Sequence, residues 1–140
     1  MRFYWFSILL AVFFSCGIRR LEKKDIYKEL NCQNFLEMTD TCHQIIDVRT
    51  KGEFEESHIP GAINISYFSG QFKDIIDTVK FDKSKPVLIY CETQHRSLFV
   101  AKILGKKGFQ SIIDLDKGMM RWRKNGFPYE SALPSDHEPN

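Results

Sequence analysis

At 140 residues, with 43% of them hydrophobic and 12 of them Phe, the chain has the length of one domain and enough apolar material for a real core, which excludes global disorder. The net charge of +2, from 20 basic and 18 acidic residues, gives no electrostatic case for a nucleic acid or for an acidic partner.

The first elements stand apart from the rest. Met1-Arg2 leads into an apolar run from Phe3 to Phe14, broken only by Ser7, and then into Ser15-Cys16-Gly17. A basic start, a short apolar stretch and small residues predict a leader over 1–15. The run falls short of the roughly 20 apolar residues of a comfortable membrane span. Cys16 between Ser and Gly resembles a bacterial lipobox, although Phe13 stands where Leu is usual. That resemblance implies cleavage before Cys16, lipidation of Cys16, and a charged tether over 16–25. The domain would then be exported and held at the membrane, facing the periplasm or the cell exterior. The alternative is an uncleaved anchor. Arg19, Arg20, Lys23 and Lys24 favour it, because positive charge just after an apolar run opposes export. Either way the N-terminus meets a membrane.

From Ile26 strands and helices alternate through a domain expected over 26–130. Gln33 to Met38 reads as a helix between Cys32 and Cys42. Even a six-residue helix separates its ends by about 9 Å, and a disulfide needs Cα atoms within about 7 Å, so these two cysteines are expected to stay unpaired. Ile45 to Val48 and Ala62 to Ile65 are short apolar strands. Phe72, Ile75, Ile76 and Val79 have the spacing of a helix with one apolar face. Val87-Leu88-Ile89-Tyr90 is a continuous apolar run, as in a strand buried on both faces. Ser97 to Leu104 is apolar nearly all round and predicts a buried helix, with Gly105 and Gly108 at its end. Ser111 to Leu115 is the last strand, and Gly118 to Lys124 a short helix stopped by Gly126 and Pro128. The polar tail 131–140 is expected to be loose. Alternating strands and helices mean an α/β domain with a mainly parallel sheet, in which ligands bind at the carboxyl ends of strands.

Cys91 stands at that place, directly after the most apolar strand. The stretch Cys91-Glu92-Thr93-Gln94-His95-Arg96-Ser97 runs from a strand end into a helix start, with four residues between Cys91 and Arg96. A loop this tight can gather backbone N–H groups around a sulfur. The helix N-terminus adds the positive end of its dipole, and Arg96 adds a full charge. All three favour thiolate over thiol, and the thiolate is the nucleophile. The same cradle would hold a persulfide anion.

Several separate motifs then agree. Ile46-Asp47-Val48-Arg49, Glu53-Phe54 and His58-Ile59-Pro60-Gly61-Ala62-Ile63-Asn64-Ile65 resemble the upstream signature of rhodanese domains. Gly108-Phe109 and Gly118 with Trp122 resemble the downstream part. The resemblance spans about residues 26–128. It implies the rhodanese-like fold, a mainly parallel central sheet flanked by helices on both faces. It also implies a sulfurtransferase with Cys91 as nucleophile, Glu92, Thr93, Gln94, His95 and Arg96 as its substrate-binding loop, a small sulfur donor, and a thiol or cyanide acceptor. No cofactor, metal or nucleic acid is implied, and a monomer is expected. Related phosphatases of this fold use one residue more, Cys-x5-Arg, so the Cys-x4-Arg spacing here favours sulfur over phosphate. A persulfide carrier or anion-binding module without catalysis is the second reading.

Two residues depart from the family pattern. Gln94 occupies a position where Gly is usual, and must accept strain or reshape the loop. Glu92 puts negative charge beside an anion site, which weakens binding of a dianionic donor. Asp47 and Arg49 are candidates for support beneath the loop, or equally a structural ion pair. His58 belongs to a turn. His95 is either a member of the anion site or an exposed loop residue. His43 and His137 have no partner pattern, and Met119, Met120 and Trp122 read as packing. The leader makes one prediction: Cys16→Ala should block both cleavage and lipid labelling, and unchanged processing on a gel of membrane fractions would remove the lipoprotein reading.

Overall fold

The computed structural model describes residues 25–132. The expected leader, Cys16, the tether before Asp25 and the tail after Ala132 lie outside the described residues. Among the described residues, no helix is long and apolar enough to cross a membrane.

Five strands form one sheet: β1 (Tyr27–Leu30), β2 (Ile45–Asp47), β3 (Ile63–Asn64), β4 (Val87–Tyr90) and β5 (Ile112–Leu115). Their order is β1-β5-β4-β2-β3, and every pairing is parallel. Among the described residues, five α-helices flank it: α1 (Cys32–Thr39), α2 (Lys51–Glu56), α3 (Phe72–Thr78), α4 (His95–Lys106) and α5 (Gly118–Lys124). The mainly parallel α/β sheet that the sequence predicts is therefore the fold observed.

The sheet is covered on both faces because β4 is apolar on both. Val87 and Ile89 pack with Phe72 and Ile76 of α3 and Val100 and Leu104 of α4. Leu88 and Tyr90 point the other way, into a second cluster with Phe35 of α1 and Met119 and Trp122 of α5. Period-two alternation along a fully buried strand thus feeds two cores, one on each face. Cys91 continues the first face and is itself part of that cluster.

One element differs from the sequence expectation, α4, and two, β1 and α2, are not among the elements it names. β1 is an edge strand whose Lys28 and Glu29 are exposed, so its Tyr-Lys-Glu-Leu pattern gives little apolar signal. α4 begins at His95 and turns Leu98 and Phe99 outward, at 39% and 54% exposure, so the helix is buried along one side and not all round. α2 buries no residue and carries no apolar periodicity. Its signal is the Thr50-x-x-Glu53 capping box: Glu53 N–H donates to Thr50 Oγ1 at 3.3 Å, and Thr50 N–H donates to Glu53 Oε2 at 2.9 Å. Cys32, at the start of α1, and Cys42, beyond its end, are both free and buried, as the helix between them requires.

A helix with no buried side depends on its cap. Thr50→Ala should therefore lower stability by about 1 kcal/mol, read as a reduced midpoint in urea unfolding with unchanged slope.

Candidate active site

The loop after β4 is held from beneath by α5. Met119 N–H donates to Cys91 O at 2.8 Å and Met120 N–H to Glu92 O at 3.1 Å. This contact requires Gly118, at φ +60°, because a Cβ there would collide with the carbonyls of Cys91 and Glu92. The downstream glycine of the sequence signature is thus a packing requirement of the loop. Among the described residues, the N–H groups of Glu92, Thr93 and Gln94 have no hydrogen-bond partner. The α4 N-terminus that follows has no side-chain cap. A helix start leaves its first N–H groups without an intrahelical acceptor, so the segment after Cys91 is rich in free donors. Cys91 itself is 1% exposed, and its Sγ lies 3.7 Å from Ser97 Oγ.

Gln94 accepts the strain that its position predicts. Its backbone is left-handed, at φ 76° and ψ −15°. That conformation costs a non-glycine residue roughly 1–2 kcal/mol. In partial return, Gln94 Oε1 accepts from Lys117 N–H at 3.3 Å, which ties the loop to the turn before α5. Its Nε2 is buried without a partner.

The charge of Glu92 is answered by two arginines. Arg49 Nη1 donates to Glu92 Oε2 at 3.0 Å, and Arg123 Nη2 pairs with Glu92 Oε1. Arg49 is 1% exposed and fully engaged. It makes bonds of 2.7–3.1 Å to both Asp47 oxygens and donates to Ser57 O as well as to Glu92. Burial works against its charge, but the Asp47 carboxylate outweighs that and raises its pKa. Asp47 and Arg49 are accordingly a buried ion pair that also reaches the loop, so both sequence readings meet in one structure.

Arg96 turns its guanidinium to Glu53, at 2.8 and 2.6 Å, with its face over the Phe68 ring. The hydrogen bonds from Arg96 pull Glu53 down to about 2. The charge expected to serve the loop is therefore shared with α2. Thr93 Oγ1 and His95 Nδ1 lie 3.0 Å apart on the exposed side of the loop. His58 stacks on Phe54 at 3.9 Å, and its backbone pairs with Glu130, a structural role.

Sequence reasoning missed Ser97, Asp114, Arg123 and Tyr27. Asp114 lies within the last strand at 0% exposure and is pushed up to about 7 by burial. A carboxylate in an otherwise apolar strand, Ile112-Ile113-Asp114-Leu115, is the signal that could have found it. Arg123 has no such signal, because only the fold brings α5 beneath the loop. No group of residues suited to hold a metal ion occurs among the described residues.

A family model described as Rhodanese-like domain matches residues 31–125. The chain is 35% identical over 94 residues to thiosulfate sulfurtransferase 16, chloroplastic, of Arabidopsis thaliana, covering 61% of this chain and 78% of that protein. It is 37% identical over 79 residues to the thiosulfate sulfurtransferase GlpE of Coxiella burnetii, covering 56% and 70%. Among solved structures, a rhodanese-related protein of Thermoplasma volcanium superimposes with a TM-score of 0.65 at 23% identity, over 74% of this chain and 98% of that one.

The left-handed backbone at Gln94 separates two substitutions. Gln94→Gly should be more stable than Gln94→Ala by about 1 kcal/mol, because both lose the bond to Lys117 but only Ala keeps the strain. Equal unfolding midpoints for the two variants would contradict a φ held positive.

Proposed function

Because the chain belongs to the rhodanese-like domain family, we propose that it is a sulfurtransferase that carries sulfane sulfur on Cys91. The observation that supports this most directly is the position of Cys91. It is the first residue of a tight loop at the carboxyl end of the central strand, followed by N–H groups with no partner and an uncapped helix start. Such donors stabilise an anion at the sulfur without a metal or a cofactor. The names of the Arabidopsis and Coxiella relatives point to thiosulfate as a donor to test.

The cycle has two steps. The Cys91 thiolate attacks the outer sulfur of the donor. A bond forms between Cys91 Sγ and that sulfur, and the bond to the leaving group breaks with its electron pair, releasing sulfite in the case of thiosulfate. A thiolate or cyanide then attacks the outer sulfur of the persulfide and restores the Cys91 thiolate. Sulfane sulfur is electrophilic, so the attack itself needs no proton transfer. Glu92 does not repel the donor at full strength, because Arg49 and Arg123 share its charge.

A second reading, a persulfide carrier that hands sulfur to a partner without turning over small donors, is favoured by the pairing of Arg96 with Glu53. That pairing leaves the loop's cation half-spent on α2. In either reading the domain works as a monomer held at a membrane through its N-terminus.

Incubation with thiosulfate or polysulfide should add the mass of one sulfur atom to the intact protein, and Cys91→Ser should abolish both that gain and thiosulfate:cyanide transfer. Double-reciprocal plots should be parallel, as a covalent intermediate requires. Sulfur loading without turnover selects the carrier, and full transfer by Cys91→Ser overturns both readings.

A further inference from the structure

The two-step cycle leaves unused a line of buried groups that begins at its nucleophile. Cys91 Sγ reaches Ser97 Oγ at 3.7 Å. Ser97 Oγ in turn has two acceptors in range, Asp114 Oδ2 at 2.8 Å and Gln94 O at 2.9 Å. Tyr27 closes the line: its hydroxyl has two acceptors in range, Asp114 Oδ2 at 3.0 Å and Glu29 Oε1 at 3.1 Å. Cys91, Ser97 and Asp114 are 1%, 0% and 0% exposed. Two buried polar atoms beside this line have no hydrogen-bond partner, Asp114 Oδ1 and Gln94 Nε2.

The surroundings of Asp114 support its charge through hydrogen bonds alone, from Ser97, Tyr27 and Gln94, and burial outweighs them. Tyr27 and Glu29 face it from β1, Ser97 and Gln94 from α4 and the loop, and Cys91 from the end of β4. None of these is a cation, and Glu29 repels a carboxylate. Tyr27 is itself held protonated by burial and by Asp114, so it remains a donor. A buried carboxyl in this setting exchanges its proton near neutrality instead of staying ionised.

Ser97 has one hydroxyl proton, and the state of Asp114 decides where it points. Beside the carboxylate, Ser97 donates to Oδ2 and offers its lone pair to the thiol of Cys91. Beside the neutral acid, that proton is released and can point at the sulfur. We propose that Cys91 and Asp114 share one proton through Ser97, with Asp114 as the positioning residue that sets whether the Cys91 sulfur faces an acceptor or a donor. In the exchange, the Cys91 S–H bond breaks and its proton passes to Ser97 Oγ, while the proton of Ser97 passes to Asp114. Cys91-SH and Asp114-COO⁻ become Cys91-S⁻ and Asp114-COOH. The summed charge stays at one negative, and nothing is oxidised. The charge moves from a site without cations to the sulfur, which interacts with the charge of Arg96.

The place of this exchange in turnover rests on the reading of Cys91 as the sulfur-bearing nucleophile. The exchange itself needs no sulfur donor. It is tested by following the 13Cβ shift of Cys91 and the 13Cγ shift of Asp114 against pH by NMR, in the full chain. In the wild type the Asp114 inflection should appear near neutral pH and be reported by the Cys91 nucleus as well, and a Cys91 signal blind to it would overturn the proposal without any variant. Asp114→Asn replaces the carboxyl with a neutral amide that can donate to Ser97. The Cys91 midpoint should then fall by about one pH unit, roughly a tenfold gain in thiolate between the two midpoints. In a Ser97→Ala background the same substitution should leave the Cys91 midpoint nearly unmoved. An equal shift with and without Ser97 would show a through-space charge effect and overturn the relay, as would no shift at all. Thiosulfate:cyanide transfer by the wild type is read separately. Its absence would remove the sulfurtransferase reading and leave the NMR coupling standing.

Discussion

The buried guanidinium of Arg49 constrains the whole site. A charge at 1% exposure is tolerable only when every donor is met. Here Asp47 at the end of β2, the carbonyl of Ser57 after α2, and Glu92 on the loop meet each of its three donor nitrogens. One side chain thus fixes the end of β2, the exit from α2 and the first turn of the loop relative to one another. Removing Asp47 would take the main counter-charge from a buried guanidinium, a much larger loss than an exposed pair represents. Glu92 is held by Arg49 and Arg123, so its charge at the loop is shared with them.

The loop is held from below as well as from the side. The α5 amides take the carbonyls of Cys91 and Glu92, and Gln94 takes the amide of Lys117. With the carbonyls engaged below, the N–H groups that follow are left for a ligand. The glycine at 118 makes the lower contact possible by lacking a Cβ, whereas Gln94 makes the upper turn in spite of having one. The chain spends conformational energy at Gln94 and recovers part of it through an amide hydrogen bond that glycine cannot make.

The sequence showed the sheet and the nucleophile more readily than the electrostatics around them. β4 and its following cysteine were legible because continuous apolar residues ending in a polar loop have few other readings. The rhodanese-like motifs marked Asp47, Arg49, Glu53 and Gly118 without saying what each touches. β1 and α2 were not legible from hydrophobic pattern, since one is half polar and the other buries nothing. Arg123 and Asp114 were illegible as site residues for a different reason. Each joins the loop through a long-range contact, 31 residues from Glu92 in one case and 17 from Ser97 in the other. Spacing along a chain does not report which helix packs under which strand end.

Charge pairing around the loop carries the argument one step further. Arg49, Arg96 and Arg123 are matched by Asp47, Glu53 and Glu92, so these six side chains sum to zero formal charge around the loop. An anion at the sulfur meets the charge of Arg96, which interacts with Cys91 although Glu53 shares it, and backbone dipoles, which act at short range. Asp114 lies outside this matched set. Its raised pKa, from an ordinary 3.8 to about 7, has a definite sign for folding. A carboxyl whose folded value is raised contributes fully below its unfolded value, and that contribution is lost as pH rises through the folded one. An ionised Asp114 therefore works against the fold above neutrality, whereas an isosteric Asn would make neither that demand nor any proton exchange with Ser97. The same carboxyl ties Tyr27 of β1 and Ser97 of α4 to β5, so the cost of its charge is offset by contacts that also set the line to the nucleophile.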